Sequence, residues 1–306
     1  MVDIQTLLVT MLELFAFIIL GWGVTKIGIC DAHGNKVISS LVSNVLSPAL
    51  ILSAVQADGS SSMDKSVVWE ALLYGVLLYA IFLVLGWVFT VWMAKEDRAV
   101  YKMLLIFSNT AFVGYPILRA LFGEFSVFVF SIMHMPFNVL IFSYGVYLLQ
   151  KDHGAGKFPL RKIVTPGLLS SIIAIILYFS NMKLPMPVVD YLSTLGDSSI
   201  PLSMIAVGAS VAMQPLGDMF KNKNLAIMTA VKLVAFPCLL AAISSFFPCS
   251  EFTRQLFILS GTLPAGTMTV ILATQYNSNT KVASAGVVLS TLCSIVTIPL
   301  LCQLLL

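Results

Sequence analysis

The chain has 306 residues, a mean hydropathy of +0.97, 58% hydrophobic residues and only 10% charged ones. Soluble domains carry about a quarter charged residues, so this composition implies lipid as the solvent and excludes an ordinary soluble domain. A net charge of +3, with the basic residues almost all in links, argues against a nucleic-acid partner, and five cysteines without a CxxC pair argue against a disulfide framework or a zinc site.

Ten apolar segments follow one another at 5–24, 34–55, 67–93, 99–121, 125–149, 163–181, 187–211, 224–247, 253–274 and 281–304. Each is of a length to cross a bilayer as a helix of roughly 20 residues. The stretch MVDIQTLLVT has no basic n-region, so the first segment is expected to be a retained span. Glycine, proline, asparagine and charge collect in the links, such as QADGSSSMDKS and LQKDHGAGKFPLRK. The expected fold class is therefore an all-α membrane protein with ten transmembrane helices.

Lysine and arginine set the orientation. Alternate links hold twelve of them: Lys26 and Lys36; Lys95, Arg98 and Lys102; Lys151, Lys157, Arg161 and Lys162; Lys221 and Lys223; and Lys281. The opposite links hold four, Lys65, Arg119, Lys183 and Arg254. The basic side is expected to be cytoplasmic, with both termini outside a cell membrane. The 151–162 link divides the chain into 1–150 and 163–306, five segments each. Five is odd, so a repeat of one half in the other must be inverted.

Four segments carry proline near their middle: Pro48 in the second, Pro116 in the fourth, Pro201 in the seventh and Pro264 in the ninth. A proline in a membrane helix often does no more than kink it. Interrupted segments at matching places in two halves are, however, the best sequence pointer to a transporter site. In SNTAFVGYPILRA, Pro116 stops one helix and starts another, and Gly114 permits a turn and a close approach, so 110–115 is expected to be unwound. Leu263, Pro264, Ala265 and Gly266 repeat the pattern in segment nine.

The second half-helix of each broken segment then starts near the bilayer centre, where a helix N-terminus offers free N–H groups and partial positive charge. No acidic residue lies between Ala99 and Gly123 or between Phe252 and Leu306. That pairing favours a small organic anion. Asn109, Thr110, Thr262 and Thr267 are candidate donors to a carboxylate, with Asn138 and Asn44 behind them. The threonines equally satisfy their own helix carbonyls. Lys232 lies well inside segment eight, where an ionisable residue is functional by default. Glu13 is a candidate for helix pairing, an interface or proton carriage. His134 reads most simply as a hydrogen-bonded structural residue. Asp190 and Asp197 read as solvated caps of segment seven.

The motif N-x-x-F-x-G-x-P at Asn109–Pro116 resembles the first broken-helix motif of the auxin efflux carrier family, which includes bacterial malate or malonate permease-like proteins. Pro48 with its PALIL, the IPLSMIAVGAS run with Pro201, the Lys232 segment with Pro237, the second break at Pro264 and the closing STLCSIVTIPLL match in the same order, over essentially the whole chain. The resemblance implies a fold related to bile-acid transporters and sodium/proton antiporters, with two inverted five-helix repeats. Segments one, two, six and seven would form a scaffold. Segments three to five and eight to ten would form a transport domain whose broken helices four and nine cross. It also implies a homodimer and an elevator-like movement. By motif match Asn109, Pro116 and Pro264 mark the crossing, and Gly114 and Gly266 belong with them. The short 151–162 link departs from the long central loop of plant members.

The expectation is a secondary transporter for a small organic anion, auxin-like or a mono- or dicarboxylate, working in membrane lipid with no cofactor or metal. The alternative is a cation-coupled antiporter or symporter of related fold, which needs a carboxylate at the crossing. An intramembrane enzyme is disfavoured, because His33, His134 and His153 are scattered.

Overall fold

In the computed structural model, residues 4–57, 64–150, 163–214 and 222–306 are described. The expected 151–162 link, with its four basic residues, and Lys221 lie outside them. The described residues form thirteen helices: α1 (Ile4–Lys26), α2 (Ala32–Ala54), α3 (Ser66–Thr90), α4 (Lys95–Ile106), α5 (Thr110–Phe122), α6 (Glu124–Met133), α7 (Met135–Gln150), α8 (Pro166–Ser180), α9 (Met186–Ala212), α10 (Lys223–Ser244), α11 (Glu251–Thr262), α12 (Met268–Gln275) and α13 (Thr280–Leu305). Among these, α2, α3, α9, α10 and α13 are each long and apolar enough to cross a membrane. A sixth span forms if α6 and α7, bent by 41° at His134, are taken as one. The protein is thus an all-helical, multi-pass membrane protein.

Proline accounts for three of the four widened turns among the described residues. Turns with i→i+5 hydrogen bonding at Val42–Leu46, Thr110–Gly114 and Val231–Ala235 each end two residues ahead of a proline, Pro48, Pro116 and Pro237, whereas the fourth, Ile141–Gly145, has no proline after it. A proline ring clashes with the carbonyl four residues back and offers it no N–H, and one wider turn relieves both problems without ending the helix. The expectation of an unwound 110–115 is corrected accordingly. The unwound residues are 107–109, and 110–114 is a widened helical turn in which Asn109 O accepts from Gly114 N at 3.1 Å. Gly114 has an ordinary helical φ of −65°, so its turning freedom is unused. What it supplies is space, because an added Cβ would lie 3.1 Å from Leu263 and 3.2 Å from Phe130. Pro201 has no widened turn and sits inside the continuous α9, unlike Pro48.

Two groups of helices pack around a common middle. α1 runs along α9, and α2 packs on both α9 and α8. The other group joins α3 to α4 and α6, and α10 to α11 and α13. Membrane helices associate through small residues that let backbones touch. Gly208 and Gly21 do this between α9 and α1: a Cβ on Gly208 would collide with the Ile18 carbonyl and lie 2.9 Å from Trp22 N, and one on Gly21 would collide with the Ile205 carbonyl.

The ends of the bundle are tied by polar contacts. At one end Asn279 Nδ2 donates to Asp97 Oδ1 at 2.7 Å, which brings together two of the basic-rich links. At the other end Glu70 Oε2 accepts from Ser250 N at 3.1 Å and Thr253 Oγ1 at 2.7 Å, at the start of α11. Asp197, expected as a solvated cap, instead pairs with Arg119 at 2.5 Å and links α9 to α5. Glu13 is exposed on the outside of α1.

The Gly208–Ile18 contact has a direct test. Gly208→Val places branched carbons where backbone already lies, and overpacking of this kind costs about 1–3 kcal/mol. Purified Gly208→Val protein is expected to unfold at a clearly lower temperature than wild type in the same detergent, while a Gly23→Ala control is expected to match it, since nothing lies within 4 Å of a Cβ there.

Candidate functional site

The unwound residues of the two broken segments meet. Asn109 N donates to Pro264 O at 2.8 Å, and Gly266 N donates to Phe107 O at 2.8 Å. Together they make a one-step antiparallel bridge between Ser108 and Ala265. Backbone groups with no helical partner cannot face lipid. Each break here supplies the partners that the other lacks. The approach is close enough that a Cβ on Gly266 would sit 3.0 Å from Ser108 O, so only glycine fits without displacement. Ala265 N, on the far side of the strand, donates to Ser290 Oγ of α13 at 3.1 Å.

Lys232 lies beneath this bridge with no exposed surface. Its Nζ donates to Leu105 O and to Ser108 Oγ, both at 2.7 Å. The rings of Phe82 and Phe236 flank it at 4.6 and 5.2 Å. A cation at the C-terminal end of α4 meets carbonyls that the helix leaves free and the negative end of the helix dipole. No carboxylate forms an ion pair with Lys232 among the described residues.

Above the bridge is a cavity of about 630 Å³. Its wall runs from the crossing to Lys36 and Gln214 at the basic end of the bundle. One side comes from α2, α8 and α9, the other from the two breaks, α6, α7, α12 and α13. The wall contains no aspartate or glutamate among the described residues.

Two helix N-termini open on it. α5 starts at Thr110 and α12 at Met268, and neither Asn109 nor Thr267 caps its helix with a side chain. The N–H groups of Ala111 and Phe112, and those of Thr267 and Met268, meet no acceptor among the described residues. All four residues line the cavity. Elsewhere Asp31, Thr165, Asn222, Ser250 and Asn279 each cap the helix that follows them. The starts of α4, α6, α7 and α9 also lack side-chain caps; those of α5 and α12 are distinguished by the free N–H groups that they leave on the cavity wall. Asn109 Nδ2 is also buried without a partner. His134 Nδ1 lies 3.1 Å from Phe130 O, which fixes the N–H there, and its Nε2 has no partner.

Of the residues singled out from the sequence, Asn109, Thr110, Asn138, Gly266 and Thr267 line the cavity. Asn138 Oδ1 accepts from Thr165 Oγ1 at 3.1 Å. Gly114, Pro116, Lys232, Thr262 and Pro264 do not line it. Pro116 shapes α5, Pro264 carries the accepting carbonyl, and Thr262 Oγ1 donates back to Leu259 O at 2.8 Å. Asn44 reaches the wall but donates to Ser40 O at 2.9 Å within its own helix.

Apart from Asn44, sequence reasoning missed the polar face of α2. Asn35 and Lys36, Ser39 and Ser40, Ser43 and Asn44, and Ser47 all line the cavity. They recur at the helical period on one side of an otherwise apolar segment, a pattern readable without any structure.

A multi-pass helical protein whose two broken segments meet at a large cavity has an architecture suited to membrane transport. Comparison with known proteins makes the assignment specific: the chain is a member of the membrane transport protein family, whose model matches residues 6–158 and 153–302. It is 22% identical to an uncharacterized transporter of Methanocaldococcus jannaschii, over 92% of this chain and 94% of that one. It is 24% identical to auxin efflux carrier component 4 of Arabidopsis thaliana, over 42% of this chain and 22% of that one. A Rhizobium meliloti protein named for malonate transport is 25% identical over 44% of this chain and 41% of its own length. This chain is a transporter and not an enzyme.

The support on the outer face of the crossing is testable at α13. Ser290→Ala strips the acceptor from Ala265 N–H in a dry interior, and an unsatisfied buried donor costs about 1–3 kcal/mol. Thermal unfolding of the purified variant is expected to show a loss of that size, with Ser290→Thr retaining most of the stability.

Proposed function

We propose that this transporter carries a small organic anion, with the carboxylate bound at the crossing of the two broken segments. The observation that carries the reading is the pair of uncapped helix N-termini on one cavity wall. A helix N-terminus favours an anion through its free N–H groups and dipole, and the low dielectric of the interior strengthens both. Lys232 adds positive charge below the bridge, and the wall carries no aspartate or glutamate among the described residues. A cation-coupled exchanger of related fold needs a carboxylate at the crossing, so the charge balance weighs against it.

The relatives named for auxin efflux and malonate transport supply two acids to try, indole-3-acetate and malonate. The movement that fits is an elevator, in which the group bearing the crossing slides against α1, α2, α8 and α9. The cavity lies between these two groups and reaches the basic end, which positive-inside bias places in the cytoplasm. The structure then stands in an inward-facing state, with ten spans in two inverted halves and both ends of the chain outside a cell membrane. Labelling of single cysteines placed at 155 and at 304 is expected from opposite sides.

Purified protein in proteoliposomes tests the anion reading. Saturable uptake of malonate or indole-3-acetate is expected, with the corresponding amide bound about 10-fold more weakly or worse, because an amide matches the donors poorly. Equal affinity for acid and amide, or preference for an organic cation, would defeat it. Asn109→Ala removes a donor that has no partner at rest, so folding stability is expected to change little while acid binding weakens by about 1–2 kcal/mol. A variant with normal uptake would remove Asn109 from the site.

A further inference from the structure

Resting on the anion reading, the geometry points to Ser108 as a binding residue that presents the charge of Lys232 to the carboxylate. Lys232 itself does not reach the cavity wall. Two of its N–H groups go to Leu105 O and Ser108 Oγ, and aromatic rings flank it. Of the two acceptors, only Ser108 lines the cavity. Among the described residues the ammonium's polar route to a ligand runs through that hydroxyl.

Hydroxyl chemistry sets the direction of the route. The Ser108 oxygen accepts from Nζ at 2.7 Å, so its own hydrogen is left to donate. That hydrogen finds no acceptor among the described residues. A hydroxyl already accepting from a cation is polarised and donates more strongly, as hydrogen bonds in a chain reinforce one another. Ser108 also lies in the bridge strand, opposite Ala265 and next to Asn109. Its position is thus held by backbone on both sides, between the free N–H groups of Ala111 and Phe112 and those of Thr267 and Met268.

The arrangement also accounts for a buried lysine without an ion-pair partner among the described residues. A buried unpaired charge is costly, and an incoming carboxylate supplies the missing counter-ion. Direct contact would require the long lysine side chain to leave the Leu105 carbonyl and the rings. The Ser108 relay lets the charge act while that support stays in place. Ser108 is then a binding residue and Lys232 a positioning and polarising residue behind it.

The test measures binding of malonate and indole-3-acetate, each against its amide, to purified wild type, Ser108→Ala, Ser108→Thr, Lys232→Met and the Ser108→Ala/Lys232→Met double variant. Ser108→Ala is expected to weaken acid binding about 10- to 100-fold, the range of a charge-assisted hydrogen bond, and to erase most of the preference for acid over amide. Ser108→Thr keeps the hydroxyl and is expected to retain both. Lys232→Met is expected to weaken acid binding in the wild-type background and to add little in the Ser108→Ala background. Additive losses would show that Lys232 acts independently and overturn the relay. Should Lys232→Met fail to fold, the Ser108→Ala and Ser108→Thr pair decides alone, and wild-type affinity in Ser108→Ala overturns the inference. If wild type binds neither acid in preference to its amide, the anion reading falls and takes this inference with it.

Discussion

Two pieces of backbone stripped of helical partners in the middle of a membrane protein have to find partners, and in this chain they find each other. The hydrogen bonds from Asn109 N to Pro264 O and from Gly266 N to Phe107 O are the constraint from which the rest of the centre follows. They fix two segments at one point. They demand a residue without a side chain at 266. They also set the starts of α5 and α12 side by side on a single cavity wall. In lipid no water is at hand to satisfy an open turn, so a break of this kind persists only where another break, a side chain or a ligand completes it.

What is left incomplete around that bridge is as informative as what is satisfied. The outer face of the bridge is supported by Ser290, and the underside by Lys232. The cavity side has unused N–H groups, an unpartnered asparagine amide and no carboxylate among the described residues. Polar groups buried without partners are rare in folded proteins because each costs free energy. The unused N–H groups of two helix starts and the unpartnered Asn109 amide stand together on one wall, which marks it as a place that a ligand can complete.

The apolar character of the chain, the interruption of segments four and nine and the family were legible in the sequence, though the sequence places the unwound stretch of segment four a few residues too late. Asn109 and Asn138 could be singled out because an amide in hydrocarbon is costly unless it is paired, and Thr110, Gly266 and Thr267 because they flank the two interruptions. The α2 stripe from Asn35 to Ser47 was equally legible by its helical period, but attention to prolines passed over it. Lys232 was noticed for its depth, yet its partners were not accessible. Leu105 and Ser108 lie more than a hundred residues away, and no spacing rule connects them.

The sequence by itself determined that the chain lives in lipid, that segments four and nine are interrupted near Pro116 and Pro264, and that acidic residues are kept out of both. Those are local matters: hydropathy, a missing N–H and the absence of a carboxylate act within a few residues. Only the tertiary structure decided that the two breaks share hydrogen bonds, that 107–109 is the unwound stretch while the proline is absorbed by a widened turn, that Arg119 pairs with Asp197, and that the lysine faces a serine and not the cavity. Each of these depends on which distant group arrives to satisfy a buried donor or acceptor, and that is settled by packing across the whole bundle.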